Sequence, residues 1–139
     1  MIEVNYVAVI LAAIASMAVG FVWYGPLFGK QWMKEKGFTK ENMEKAKKEM
    51  GKWYALTAIL AIISAYVLAH VMALSKKFYG YPMLQTGLTS AFWMWLGFVM
   101  PVQTTASIFG GRNWKLLGID TGHNLASLLV MGVVIGLLG

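Results

Sequence analysis

The sequence contains no cysteine. Disulfides and thiolate metal sites are therefore excluded. Acidic residues are scarce: there are six, and five of them lie at the N-terminus or in one charged segment between residues 29 and 52. More telling is where charge of either sign is missing. Residues 4–28, 53–75, 78–111 and 121–139 contain no Lys, Arg, Asp or Glu. A soluble domain would spread its charges along the chain. A helix rises about 1.5 Å per residue, so about 20 apolar residues cross the hydrocarbon core of a bilayer. Four such segments fit.

The fold class expected is therefore all-α. We read residues 1–139 as one integral membrane domain, a bundle of four transmembrane helices at about 4–28, 53–75, 83–109 and 116–138. The first segment differs from a cleaved signal peptide, because Glu3 precedes a long apolar run and no Lys or Arg does. Between the first two spans, Gly37 and Thr39 read as a break followed by an N-cap. Met43, Ala46 and Met50 then recur at helical spacing among Lys and Glu. This predicts a short cytoplasmic amphipathic helix lying on the inner membrane surface.

Basic residues set the orientation. Eight lysines lie between residues 29 and 52, and Arg112 and Lys115 lie between the third and fourth spans; the other connection has only Lys76 and Lys77. The positive-inside rule then puts the first and third connections in the cytoplasm and both termini outside, in a multi-pass protein of the cell membrane. The net charge of +6 suits anionic headgroups, and no nucleic-acid partner is expected.

Helical arithmetic divides the fourth span into two faces. Gly118, Gly122, Gly132 and Gly136 fall together as two G-x-x-x-G pairs, a pattern for close helix packing and for a homo-oligomer. Asp120, His123, Asn124 and Ser127 fall opposite. A carboxylate inside a span is by default a functional-site hypothesis. Asp120 is also shallow, five residues past Lys115 or about 7.5 Å along the axis. Pairing with Arg112 or Lys115 competes with ligand handling, and catalysis comes last. In the third span a kink is expected at Pro101, followed by Gln103 and Thr104 at inner-leaflet depth. Trp23 and Tyr24 end the first span at the same depth. Together these residues predict an inner-leaflet polar pocket that could take a small molecule or an ion.

No serine–histidine–acid set, phosphate loop or carboxylate pair appears, so no catalytic residue and no enzyme activity is expected. Asp120 and His123 are too few ligands for a metal site, and no cofactor is implied.

The segment Trp23-Tyr24-Gly25-Pro26-Leu27-Phe28-Gly29-Lys30, then Trp32-Met33, resembles a family of small prokaryotic membrane proteins known as domain of unknown function 1761. So does Phe109-Gly110-Gly111-Arg112-Asn113-Trp114-Lys115-Leu116, with Ile119-Asp120-Thr121-Gly122-His123 after it. The resemblance covers nearly the whole chain. It implies four spans and a lysine-rich first loop, and it implies no activity, substrate or catalytic residue. Two function classes are open on these residues: a small oligomeric transporter or channel-like protein, or a structural or accessory membrane protein whose basic loop binds lipid or a partner.

Overall fold

A computed structural model describes residues 4–111 and 113–139. Among them the chain is helical throughout, with short turns and no strand. Helix α1 (Tyr6–Val22) passes into a π-helical turn (Trp23–Leu27) and then α2 (Gly29–Lys36). Helix α3 (Lys40–Tyr79) is next. Helix α4 (Met83–Met94), a second π turn (Trp95–Val99) and α5 (Met100–Phe109) form one continuous helical run, and α6 (Trp114–Leu138) closes the chain.

Local chemistry fixes the ends of these elements. Asn5 caps α1, its side-chain oxygen accepting from the amides of Val7 and Ala8 at 3.1 and 3.2 Å. The same side chain donates its NH₂ to the Leu138 carbonyl at 3.0 Å, so one residue serves the start of α1 and the end of α6. Gly37 ends α2 at a φ of 69°, a left-handed conformation suited to glycine. Thr39 then caps α3 by accepting from the Asn42 amide.

The break at Gly37 and Thr39 is where the sequence puts it, but the helix beyond it differs from the expectation. The stretch holding Met43, Ala46 and Met50 is not a helix of its own. The 40 residues of α3 run unbroken from the lysine-rich stretch into the apolar one. Gly51 alone does not stop a helix, and neither a proline nor a left-handed residue interrupts residues 40–79. Residues 38–57 are all exposed, and the lysine-rich start of α3 extends beyond the bundle before Tyr54 meets Phe21.

The helical ladder of the third run is disturbed just ahead of Pro101, where the sequence leads one to expect a kink. Pro101 lacks the N–H that would reach the Gly97 carbonyl, and the ladder widens ahead of it, over Trp95–Val99. The first π turn contains Pro26 and obeys the same logic.

The core is built from small residues. Ala12, Ala13, Ala65 and Ala69 are buried with Val9, Leu68, Met72, Met131 and Ile135. Gly87 of α4 and Gly132 of α6 touch backbone to backbone, and a Cβ on either would collide with the other's carbonyl. A Cβ on Gly136 would lie 2.9 Å from the Leu84 Cα.

Three helices are long and apolar enough to cross a membrane: Tyr6–Leu27, Lys40–Tyr79 and Trp114–Leu138, with mean hydropathies of 2.2, 2.1 and 1.7 over their best stretches. Only 28%, 28% and 22% of those stretches is buried. Their outer faces are therefore apolar and uncovered, as lipid-facing surfaces are. The run Met83–Phe109 is not among the three; it carries more Gln, Thr, Trp and Pro.

Candidate functional site

Two arrangements occupy the half of the bundle near Trp23, Val99 and Asp120. The first is a set of hydrogen bonds converging on the start of α6. Tyr24 donates its hydroxyl to Asp120 Oδ1 at 2.6 Å, and the Trp32 indole donates to the same oxygen at 3.2 Å. The Trp23 indole donates to the Ile119 carbonyl at 2.9 Å. From the other side, the Trp95 indole donates to the Thr121 carbonyl at 2.8 Å and reaches the Thr121 hydroxyl at 3.1 Å. Each π turn thus begins with a tryptophan whose ring nitrogen is anchored on α6. The wide turn swings that ring off the ordinary helical path.

Asp120 is in this way a tie between three elements: the first π turn, α2 and α6. The pairing expected from sequence is different. Among the described residues its partners are neutral donors, not Lys115; Arg112 lies outside the described residues. Asn113 adds a second link to α2, its amide donating to Glu35 at 3.1 Å. It also caps α6, accepting from the Leu116 amide.

The second arrangement is a cavity of about 670 Å³ between α1, α3 and α6. Its polar wall carries His123, Asn124 and Ser127 of α6, with Ser16 of α1 and Thr57 and Ser64 of α3. Met17, Leu60, Ala61, Val99, Leu128 and Met131 form the apolar remainder. The His123 ring lies 4.9 Å from the Tyr24 ring and 6.4 Å from the Trp23 ring, centroid to centroid. Its Nε2 is 3.2 Å from the Ser127 hydroxyl. Ser127 and Ser16 are buried at the back, while Phe21, Tyr54 and Leu60 at the mouth are 55%, 40% and 54% exposed. The Phe21 and Tyr54 rings meet across the mouth at 5.2 Å.

The residues proposed from sequence therefore separate. Tyr24, His123 and Asn124 line the cavity; Asp120 and Trp23 stand behind it as ties. Gln103 and Thr104 do not join them. Thr104 donates back to the Met100 carbonyl at 2.7 Å, and Gln103 Oε1 is buried on α5 without a partner among the described residues. The glycines separate too. Gly132 and Gly136 pack on α4, Gly122 faces the Trp23 ring, and Gly118 faces open space. No single glycine face runs the length of α6.

Sequence reasoning missed Trp32, which lies in the charged loop where nothing marks a contact with a span. It also missed Trp95 and, of the cavity serines, Ser16 and Ser64, whereas Ser127 does fall on the polar face read from the sequence. The signal for Ser16 and Ser64 was their helical register, which matches small-residue packing equally well. Among the described residues no three His, Asp or Glu side chains come together.

Searches of the curated proteins and of the solved structures return no match. The family described as protein of unknown function DUF1761 matches residues 7–136, nearly the whole chain, and the chain belongs to that family.

Proposed function

We propose that the protein is a small transporter or channel-like membrane protein that binds its solute in the cavity beside His123. The cavity carries this reading. Its volume lies within the range of small-molecule sites, about 300–1,000 Å³, and a few polar groups from α1, α3 and α6 face a mostly apolar space. In this reading residues 83–109 form a fourth span, third in order along the chain. At 1.5 Å per residue the run is about 40 Å long, enough to cross with its π turn included. The lysine distribution puts both termini outside and the cavity in the inner leaflet.

A smaller recess of about 370 Å³ supports transport. It lies between α3 and α4 toward the other leaflet and is lined by Ser75, Tyr79, Thr86, Thr89, Ser90 and Trp93 among others. Along α3 the two spaces are seven residues apart, from Ser64 to Val71, or about 10 Å. Between them on α3 lie the buried Ala65 and Leu68. One side of the inner cavity, between α1 and α3, is left uncovered by this chain.

The test is flux of small neutral and cationic solutes in proteoliposomes. Filling the cavity with Ser64→Trp is expected to lower flux about tenfold while the protein remains folded. No flux above protein-free liposomes for any solute would sink the reading.

A second reading, a structural or accessory protein, is favoured by the exposed, lysine-rich start of α3. It predicts that charge reversal at Lys45, Lys47 and Lys48 disrupts lipid or partner binding, while filling the cavity changes nothing.

A further inference from the structure

We propose that the inner cavity takes a neutral amphiphile drawn sideways from the bilayer, a single hydrocarbon chain ending in one hydroxyl or carbonyl group. This rests on reading the cavity as a binding site, and it names what binds there.

The mouth of the cavity faces lipid. It opens between α1 and α3, and its rim is Phe21, Tyr54 and Leu60. Phe21 and Leu60 belong to apolar stretches whose outer faces are uncovered. A molecule dissolved in lipid meets this rim directly. A water-soluble solute would have to leave water to reach it, and each of its polar groups would go unpaired on the way.

The walls are uncharged. Among the described residues no Lys, Arg, Asp or Glu lines the cavity. Asp120 lies close by, yet Oδ1 is engaged by Tyr24 and Trp32 and the residue is not part of the lining. An anion inside would lack an opposite charge in a low-dielectric space, a penalty of several kcal/mol in general, and a cation would be held off the nearby Asp120 oxygen by the Tyr24 and Trp32 donors that already engage it. A neutral ligand has no such cost.

Along α6 the polar lining residues come first and the apolar ones follow, while Ser16 of α1 and Thr57 and Ser64 of α3 add single hydroxyls on the other walls. His123, Asn124 and Ser127 occupy two turns of one helix, and Ser127 and His123 already hydrogen-bond to each other. Such a pair can present a donor or an acceptor to one partner group. Beyond it the lining passes to Leu128 and Met131, both of which suit a chain, and methionine adapts to irregular shapes. From His123 to Met131 is eight residues, or about 12 Å along α6. That length accommodates a polar head at one end and a short chain along the rest.

The experiment uses the full chain in lipid nanodiscs and a photoactivatable analogue of dodecanol, with the attachment sites mapped by peptide mass spectrometry. Matching probes carry a carboxylate or a quaternary ammonium in place of the hydroxyl. The alcohol is expected to label the peptides holding Ser16–Gly25, Thr57–Ser64 or His123–Met131. Excess unlabelled dodecanol should compete on the wild-type protein, which requires no variant to fold. Ser64→Trp should lower labelling about tenfold, and His123→Leu should reduce the preference for the alcohol over the corresponding alkane.

Equal labelling by the charged probes, or labelling that dodecanol does not compete, would overturn the proposal. So would labels confined to the outward face of α1 at Ile10 and Ile14. Saturable labelling in a protein that moves no solute would retire the transport reading and keep this ligand class. Solute flux unaffected by dodecanol, together with non-saturable labelling, would do the reverse.

Discussion

The two halves of this bundle are held together in different ways. Toward the chain termini, α1, α3, α4 and α6 meet through Ala12, Ala65, Ala69, Gly87 and Gly132, and backbones touch. Toward the lysine-rich side, Trp23, Tyr24, Trp32 and Trp95 reach across to α6 through hydrogen bonds. Lipid offers no hydrophobic drive to bring helices together, so close packing and polar contact are the available means. Close packing leaves no room. Long polar side chains act as struts and leave a cavity between them. The larger of the two spaces, about 670 Å³ against about 370 Å³, lies in the half assembled from struts.

The contrast between the halves meets its hardest test at Gly132. Gly132→Leu should separate α4 from α6 and cost about 3 kcal/mol, the upper range for overpacking; denaturant unfolding in a fixed detergent measures it. A wild-type midpoint would mean that the backbone contact does not hold this half together. Next is Asp120→Ala, which leaves the Tyr24 hydroxyl and the Trp32 indole without their acceptor. A loss of about 2 kcal/mol is expected, and Asp120→Asn, which keeps an oxygen, should recover most of it. If the asparagine variant is as weak as the alanine one, the negative charge itself matters. Trp95→Phe removes one strut and keeps a ring, so about 1 kcal/mol should be lost by the same measurement. The smallest effect belongs to the exposed start of α3. Met50→Gln should change stability by no more than about 0.5 kcal/mol; a larger drop would show that this segment is covered.

Much of the helical layout is legible in the residues themselves. Helical segments emerge from charge spacing, since a lysine cannot rest in hydrocarbon; hence residues 4–28 and 116–138 match Tyr6–Leu27 and Trp114–Leu138 closely. The start of α3 is not legible. An amphipathic stretch and an apolar stretch have the same helical period, and nothing between Lys40 and Trp53 says whether they join. Depth brings Trp23, Tyr24, Asp120 and His123 together correctly, because residues at one level in neighbouring helices can meet. Depth also groups Gln103 and Thr104 with them, and they are not neighbours of the cavity. A helical wheel gives angle and height within one helix. Which helices stand side by side depends on packing between distant segments, such as Gly87 on Gly132, and on turns such as Trp95–Val99 that rotate the register beyond them.

The unbroken length of α3 has a mechanical consequence. Its fulcrum is the buried contact at Ala65 and Leu68, and Lys40 lies 25 residues away, about 37 Å along a rigid rod. A tilt of about 10° at the fulcrum, small enough for side chains to absorb, would carry the lysine-rich tip about 6 Å. Thr57, Leu60 and Ser64 lie on the same rod between fulcrum and tip. Widening or filling of the cavity is thereby geared to displacement of a charged tip far outside it.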